Sequence, residues 1–249
     1  MKRWALVAGA SRGIGFAATR LLLEDGYSVI VSARDADVLE ERYGRLPEER
    51  AIILPVDFAF TESLPDYVDR VVSATGGISA MLYAAGMQLT LPLGQSKPGM
   101  AEKIFRINAF AAFELIRLFS KKGAYNAGGA SFVLLSSLAA HEGAMGKALY
   151  GASKGALEGF IPPAAAELVQ RGIRLNALAL GVVKTAMSAE FLDKMSLETR
   201  EALNLSYPLG LGEPEDAANF IAFLLSTKSK WITGQIFVAD GGHSVAGVR

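Results

Sequence analysis

The chain contains no cysteine. That excludes disulfides, thiolate nucleophiles and cysteine-bound zinc, and it suits a reducing compartment. Histidine is almost absent too: His141 and His243 are too few for a typical metal site, so no metal is expected. Charge of one sign is also missing. The 25 Lys and Arg offset the 25 Asp and Glu, so no net field draws the protein to nucleic acid or to an anionic membrane surface. No apolar run reaches the roughly 18–20 residues that crossing a bilayer takes. The short apolar run after Lys2 and Arg3 stops at Gly9 and Arg12, too soon for a signal peptide. These absences predict a cytoplasmic protein whose partners are small molecules. With 249 residues, 51% of them hydrophobic, the chain can bury one large core and falls short of two full domains, so a single domain over 1–249 is expected.

Short β-rich runs at 4–8, 28–33, 51–56, 80–84, 131–136, 173–179 and 236–239 alternate with longer stretches. Among these, 14–25, 101–121 and 214–226 repeat apolar residues at helical spacing, and Gly26, Gly123 and Gly172 stand where helices stop. This βαβ rhythm predicts an α/β fold: a doubly wound, parallel, seven-stranded sheet with helices on both faces, in three layers. The least regular stretch, 187–211, lies between the last two strands, where a substrate lid would sit.

The first strand runs straight into Gly9, Ala10, Ser11, Arg12, Gly13, Ile14 and Gly15, and then into a helix. Glycines at such a turn let the backbone approach a ligand, and the helix start offers free N–H groups to a pyrophosphate. An ordinary tight turn is the plainer alternative. NAD-preferring sites place a carboxylate at the end of the second strand; here that position is Ala33, followed by Arg34, with Arg12 in the glycine loop. Two guanidinium groups near the adenosine end favour the 2′-phosphate of NADP(H), unless Arg34 merely opens the next helix against Asp35 or Glu40. Further on, Tyr150 and Lys154 stand four apart at a helix start, one face carrying phenol and ammonium. A neighbouring ammonium favours the phenolate, so Lys154 is expected to lower the tyrosine's pKa. Taken alone, Y-x-x-x-K also occurs on many solvated helix faces.

With the glycine loop first, Y-x-x-x-K past the middle and serines on the preceding strand, the chain resembles the short-chain dehydrogenase/reductase family over nearly its whole length. The resemblance implies a Rossmann-type fold and hydride transfer between NADP(H) and a carbonyl or alcohol. Tyr150 becomes the proton donor and acceptor, and Lys154 the partner of the nicotinamide ribose. Ser137 matches the serine that holds the substrate oxygen, Ser136 being structural, and Asn108 matches the asparagine whose backbone carbonyl holds a relay water. For the cofactor it implies Gly9, Ser11, Arg12, Gly13, Ile14, Gly15 and Arg34 at the phosphates. Asp57 and Phe58 then lie near the adenine, Ala84, Ala85 and Gly86 beneath the rings, and Val183 and Thr185 at the carboxamide, with Tyr150 and Lys154 at the ribose.

The chain departs from the family at several points. Tyr83 and Ala84 replace two asparagines and lose a bracing amide. Ala8 replaces a threonine. Leu180 replaces a proline, which should loosen the nicotinamide loop. Pro162 and Pro163 interrupt the helix after Lys154 and should bend it. That helix forms an oligomer contact in the family, so a dimer or tetramer is expected. The look is nearest to 3-oxoacyl-[acyl-carrier-protein] reductases. Arg171 fills one of two basic positions those enzymes place beside the active-site mouth, while Gly128 stands at the other. An acyl thioester is thus one substrate class; a general ketone, sugar or secondary-metabolite reductase is the alternative, and a non-catalytic NADP(H) sensor a third.

Overall fold

The computed structural model describes residues 2–246, apart from the side chains of residues 190 and 191. Seven strands, β1 (Trp4–Ala8), β2 (Ser28–Ser32), β3 (Ala51–Ile53), β4 (Ala80–Tyr83), β5 (Ala130–Ser137), β6 (Ile173–Leu180) and β7 (Ile236–Ala239), form one sheet in the order β3-β2-β1-β4-β5-β6-β7. All pairs are parallel, as the alternating pattern predicts. The helices are α1 (Gly13–Glu24), α2 (Ala36–Tyr43), α3 (Leu64–Thr75), α4 (Pro98–Phe105), α5 (Ala111–Phe119), α6 (Ala148–Leu168), α7 (Ala186–Leu192), α8 (Leu197–Leu205) and α9 (Pro214–Leu225).

Strand alternation divides the core in two. Leu6 and Ala8 of β1 point to a layer built from α3, α5 and α6, while Ala5 and Val7 point to one built from α1, α2 and α9. Both faces are covered, so the strands read as almost continuous apolar runs. Strand order reverses beside β1, whose neighbours are β2 and β4, and this opens a crevice at the carboxyl ends of β1 and β4 where α/β sheets bind ligands.

Several expectations are corrected. The third strand ends at Ile53 rather than 56, although Leu54 and Val56 N–H still donate to Val31 O and Ala33 O on either side of Pro55, whose missing N–H falls on the open edge. The helix expected over 101–121 is interrupted by a π turn, Arg106–Phe110, between α4 and α5. The irregular 187–211 stretch is largely α7 and α8, the latter capped by Ser196, whose hydroxyl accepts from Thr199 N–H. Pro162 and Pro163 do not break α6, which stays helical for 21 residues. Both prolines are exposed, between buried Ile161 and Ala165, so their rings do not have to fit into the core. Among the described residues no helix is long and apolar enough to cross a membrane.

Candidate active site

The crevice is floored by main chain. Gly9, ending β1, has φ +92°, and a Cβ there would lie 2.7 Å from Ala85 N and 2.8 Å from Ala84 C. Both the conformation and the approach require glycine. Gly13, at φ +55°, would bring a Cβ to 3.1 Å from Thr185 Cγ2. The glycine loop, residues 84–86 and the 183–185 loop therefore meet around one crevice, although they are far apart in sequence. Helix α1 opens behind Arg12 with no side-chain cap and no acidic residue in its first turn, which leaves its positive end available to an anion. Ala33 is buried at 8% exposure, and Arg12 and Arg34 are exposed on the adjoining rim. No described ion pair engages Arg34; Asp35, which could have paired with it, instead caps α2 by accepting from Val38 N–H at 3.2 Å. These features fit a nicotinamide dinucleotide.

Asp57 lies at the rim beside β3, its carboxylate accepting Ala59 N–H at 2.9 Å. Phe58 buries its ring edge-on to Tyr67 and Tyr83, so its expected cofactor contact is one of main chain. The loop after β6 is not loosened by Leu180. Leu180 is itself buried, Val182 N–H donates to Tyr207 Oη at 3.0 Å, and Val183 bridges to Gly212.

Tyr150 stands in the first turn of α6 and Lys154 one turn later. Ser137 ends β5, caps the following 3₁₀ turn through Ala139 N–H, and lies near enough to the Tyr150 phenol to draw its pKa down. Ser136, its neighbour, points the other way, donating to Glu158 Oε1 at 2.5 Å and to Lys154 O at 3.5 Å. The pleat decides between the two serines. Burial pushes the Tyr150 phenol upward, partly offset by Ser137. The expected lowering by Lys154 is absent, because the Lys154 amine lies 6.0 Å from the ring centroid and donates instead to Leu135 O at 2.7 Å. Burial pushes Lys154 down to about 8, with Glu158 pulling it back up.

Asn108 is fully buried in the π turn. Its amide donates to Met87 O at 3.0 Å and Ser153 Oγ at 2.9 Å, and its oxygen accepts Met87 N–H at 2.9 Å. It thereby ties the segment after Gly86 to α6. Tyr83 replaces the bracing amide expected at β4 with a phenol that donates to Ile107 O at 2.5 Å.

Two neighbours escaped sequence reasoning. Lys147 lies 5.7 Å from the Tyr150 ring centroid and donates to Thr90 at 2.7 Å. Glu158 is buried one turn beyond Lys154; its signal was the 150, 154, 158 helical register. One basic position moves the other way. Arg171 follows the far end of α6, about 30 Å along the axis from Tyr150 by helical rise, and donates to Ser120 O at 2.9 Å, so it does not flank the mouth of its own site.

A family model described as Enoyl-(Acyl carrier protein) reductase matches residues 9–244. Carbonyl reductase family member 4 of Danio rerio is 31% identical, covering 97% of this chain and 98% of its own. The 3-oxoacyl-[acyl-carrier-protein] reductase FabG of Rickettsia felis is 34% identical over 96% and 95%. A solved structure of a putative short-chain alcohol dehydrogenase from Sinorhizobium meliloti superposes with TM-score 0.89 at 30% identity, covering 98% and 97%. A short-chain dehydrogenase/reductase structure from Brucella melitensis gives 0.89 at 29%, covering 99% and 100%. The chain belongs to the short-chain dehydrogenase/reductase family of oxidoreductases, which work with a nicotinamide cofactor.

Proposed function

We propose that this chain, acting as one domain, reduces a ketone to a secondary alcohol with NADPH, a 3-oxoacyl thioester being the first substrate class to try. The observation that carries this reading is the convergence of Ser137, at the end of β5, and Tyr150, at the head of α6, with the Lys154 amine 6.0 Å from the tyrosine ring. Bound NADPH would supply a hydride to the carbonyl carbon. Tyr150 and Ser137 hydrogen-bond the carbonyl oxygen, and Tyr150 then gives it the phenol proton, a transfer favoured in this direction because burial holds the phenol protonated. Lys154 binds the nicotinamide ribose and, through the ribose, steadies the phenolate left behind. Asn108 sits in a wide turn, where Ala111 N–H reaches back five residues to Arg106 O, and such turns release a carbonyl for other partners. That carbonyl would hold the water that restores the proton Lys154 passes, through the ribose hydroxyl, to the Tyr150 phenolate.

Arg12 and Arg34, with Ala33 in place of a carboxylate, support NADPH over NADH. FabG favours the acyl thioester, while the carbonyl reductase and the Diacetyl reductase [(S)-acetoin forming] of Staphylococcus epidermidis, 28% identical, favour small ketones as the second reading. A homo-oligomer, dimer or tetramer, is part of the same proposal. It is supported by the apolar face where Phe113 and Phe160 stack at 4.3 Å beside exposed Phe110.

The test is NADPH oxidation against acyl thioesters, ketones, diketones and sugars, with Tyr150→Phe alongside. Turnover with at least one carbonyl class, reduced by about 10²–10⁴-fold in the variant with NADPH binding retained, is expected. Binding with no turnover anywhere would make the protein a cofactor sensor instead.

A further inference from the structure

The mechanism above leaves one buried charge unused. Glu158 follows Tyr150 and Lys154 in the same helical register, so all three lie along one face of α6. A carboxylate at 8% exposure persists in a fold only if it is hydrogen-bonded or paired. Glu158 has both. The Ser136 hydroxyl donates to Oε1 at 2.5 Å, and His141 Nε2 lies 2.9 Å from Oε2. The same Ser136 hydroxyl touches the Lys154 carbonyl, which clamps the carboxylate to the lysine's own turn. The His141 side chain, 42% exposed, closes the arrangement toward solvent.

The surroundings bring few other charges near. Strand β5 offers hydroxyls and the Leu135 carbonyl to this region, and no charged side chain. The charged residue of β6, Arg174, is bonded to Ser226 and Ser229. Along α4, the π turn and α5, Arg106 pairs with Glu102 and Arg117 with Glu114, while Lys103 is exposed. On α6 itself the neighbouring titratable groups are Tyr150 and Lys154, with Lys147 just ahead of the helix, bonded to Thr90. Glu158 is thus the buried anion beside the buried lysine.

We propose that Glu158 is a positioning residue of this site: fixed by Ser136 and His141, its carboxylate supplies the counter-charge that keeps the Lys154 amine protonated in a dry pocket. This rests on the reading of Lys154 as a contact of bound NADPH. A neutral lysine would hold the ribose less firmly and could not steady a phenolate. Nothing in the role requires proton transfer through the carboxylate; its charge and its fixed place suffice.

NADPH affinity followed by fluorescence from pH 7 to 10 tests it without relying on turnover. Glu158→Gln preserves shape and hydrogen bonding but removes the charge, whereas Glu158→Asp preserves the charge but shortens the reach. The alkaline midpoint of binding should fall by about one pH unit in Glu158→Gln, roughly tenfold in affinity above both midpoints, and stay near the wild-type value in Glu158→Asp. A purely structural role predicts the reverse order. A Glu158→Gln curve that overlays the wild type overturns the proposal. If Glu158→Gln does not fold, a folded Glu158→Asp with a lowered midpoint overturns it equally, and one with the wild-type midpoint supports it. His141→Asn, at the solvent side, should leave the midpoint in place; a fall as large as that sought in Glu158→Gln would move the role to the imidazole and overturn it. Wild-type protein that fails to bind NADPH would defeat the proposed function and this inference together, which separates the two failures.

Discussion

Arg12 and Arg34 bear on the cofactor one side chain at a time. Each is exposed on the rim above the glycine loop, where opposite charges about 4 Å apart interact by roughly 4 kcal/mol gross and far less after solvation. Arg12→Ala and Arg34→Ala should each lower kcat/KM for NADPH by about tenfold and change NADH use less than about twofold. Steady-state kinetics with both cofactors measures this, and equal losses with both would remove the 2′-phosphate from the account. The serine pair teaches a different point about single residues. Spacing alone favoured Ser137 over Ser136 by one position, and the pleat makes that one position a choice between the Tyr150 phenol and the Glu158 carboxylate. Phe58 makes the same point: sequence places it beside an adenine contact, and only packing against Tyr67 and Tyr83 takes its ring into the core and leaves its main chain for that contact.

Among the elements, the π turn between α4 and α5 matters most to the site. Extra residues per turn push Asn108 inward, and the Tyr83 phenol holds the turn by its Ile107 carbonyl. Tyr83→Phe keeps the ring in the core but leaves that carbonyl without its donor, a loss of about 1–3 kcal/mol. Urea unfolding should register it, and an unchanged midpoint would mean the phenol braces nothing. The π turn was invisible in the sequence, since the apolar repeat through 101–121 reads as one helix and the insertion is fixed by contacts with β4 and α6. The proline pair shows the opposite failure. A local rule forbids Pro162 and Pro163 inside a helix, yet burial of Ile161 and Ala165 on either side stabilises α6 enough to keep it helical.

On the scale of the whole molecule, burial of Lys154 sets a pH dependence of folding. Its amine is held at about 8 in the folded chain, below the ordinary 10.5. Between those values the unfolded chain binds a proton that the folded one has released, so stability rises with pH through that window. The buried Tyr67 and Tyr83 phenols, pushed upward by burial, oppose this only above their ordinary value of 10.0. Burial holds Lys147 at about 8 as well, so cofactor-free protein should gain on the order of 2 kcal/mol between pH 8 and about 9.5 from the two lysines together. Denaturant titrations at the two ends decide it, and a flat or falling profile would mean that Lys154 is solvated rather than dry.

The sequence by itself determined the alternation of strands and helices, the glycine loop, and the register of Tyr150 with Lys154. Each is written in local periodicity or in a residue type that one backbone conformation demands. Tertiary structure alone decided that Gly9 abuts Ala85, that Thr185 meets Gly13, and that Asn108 turns inward to Met87 and Ser153. It alone also gave Glu158 its partners Ser136 and His141. Those contacts join segments distant in the chain, and no local signal encodes them, because their energy comes from burial in a place that exists only once the sheet has formed.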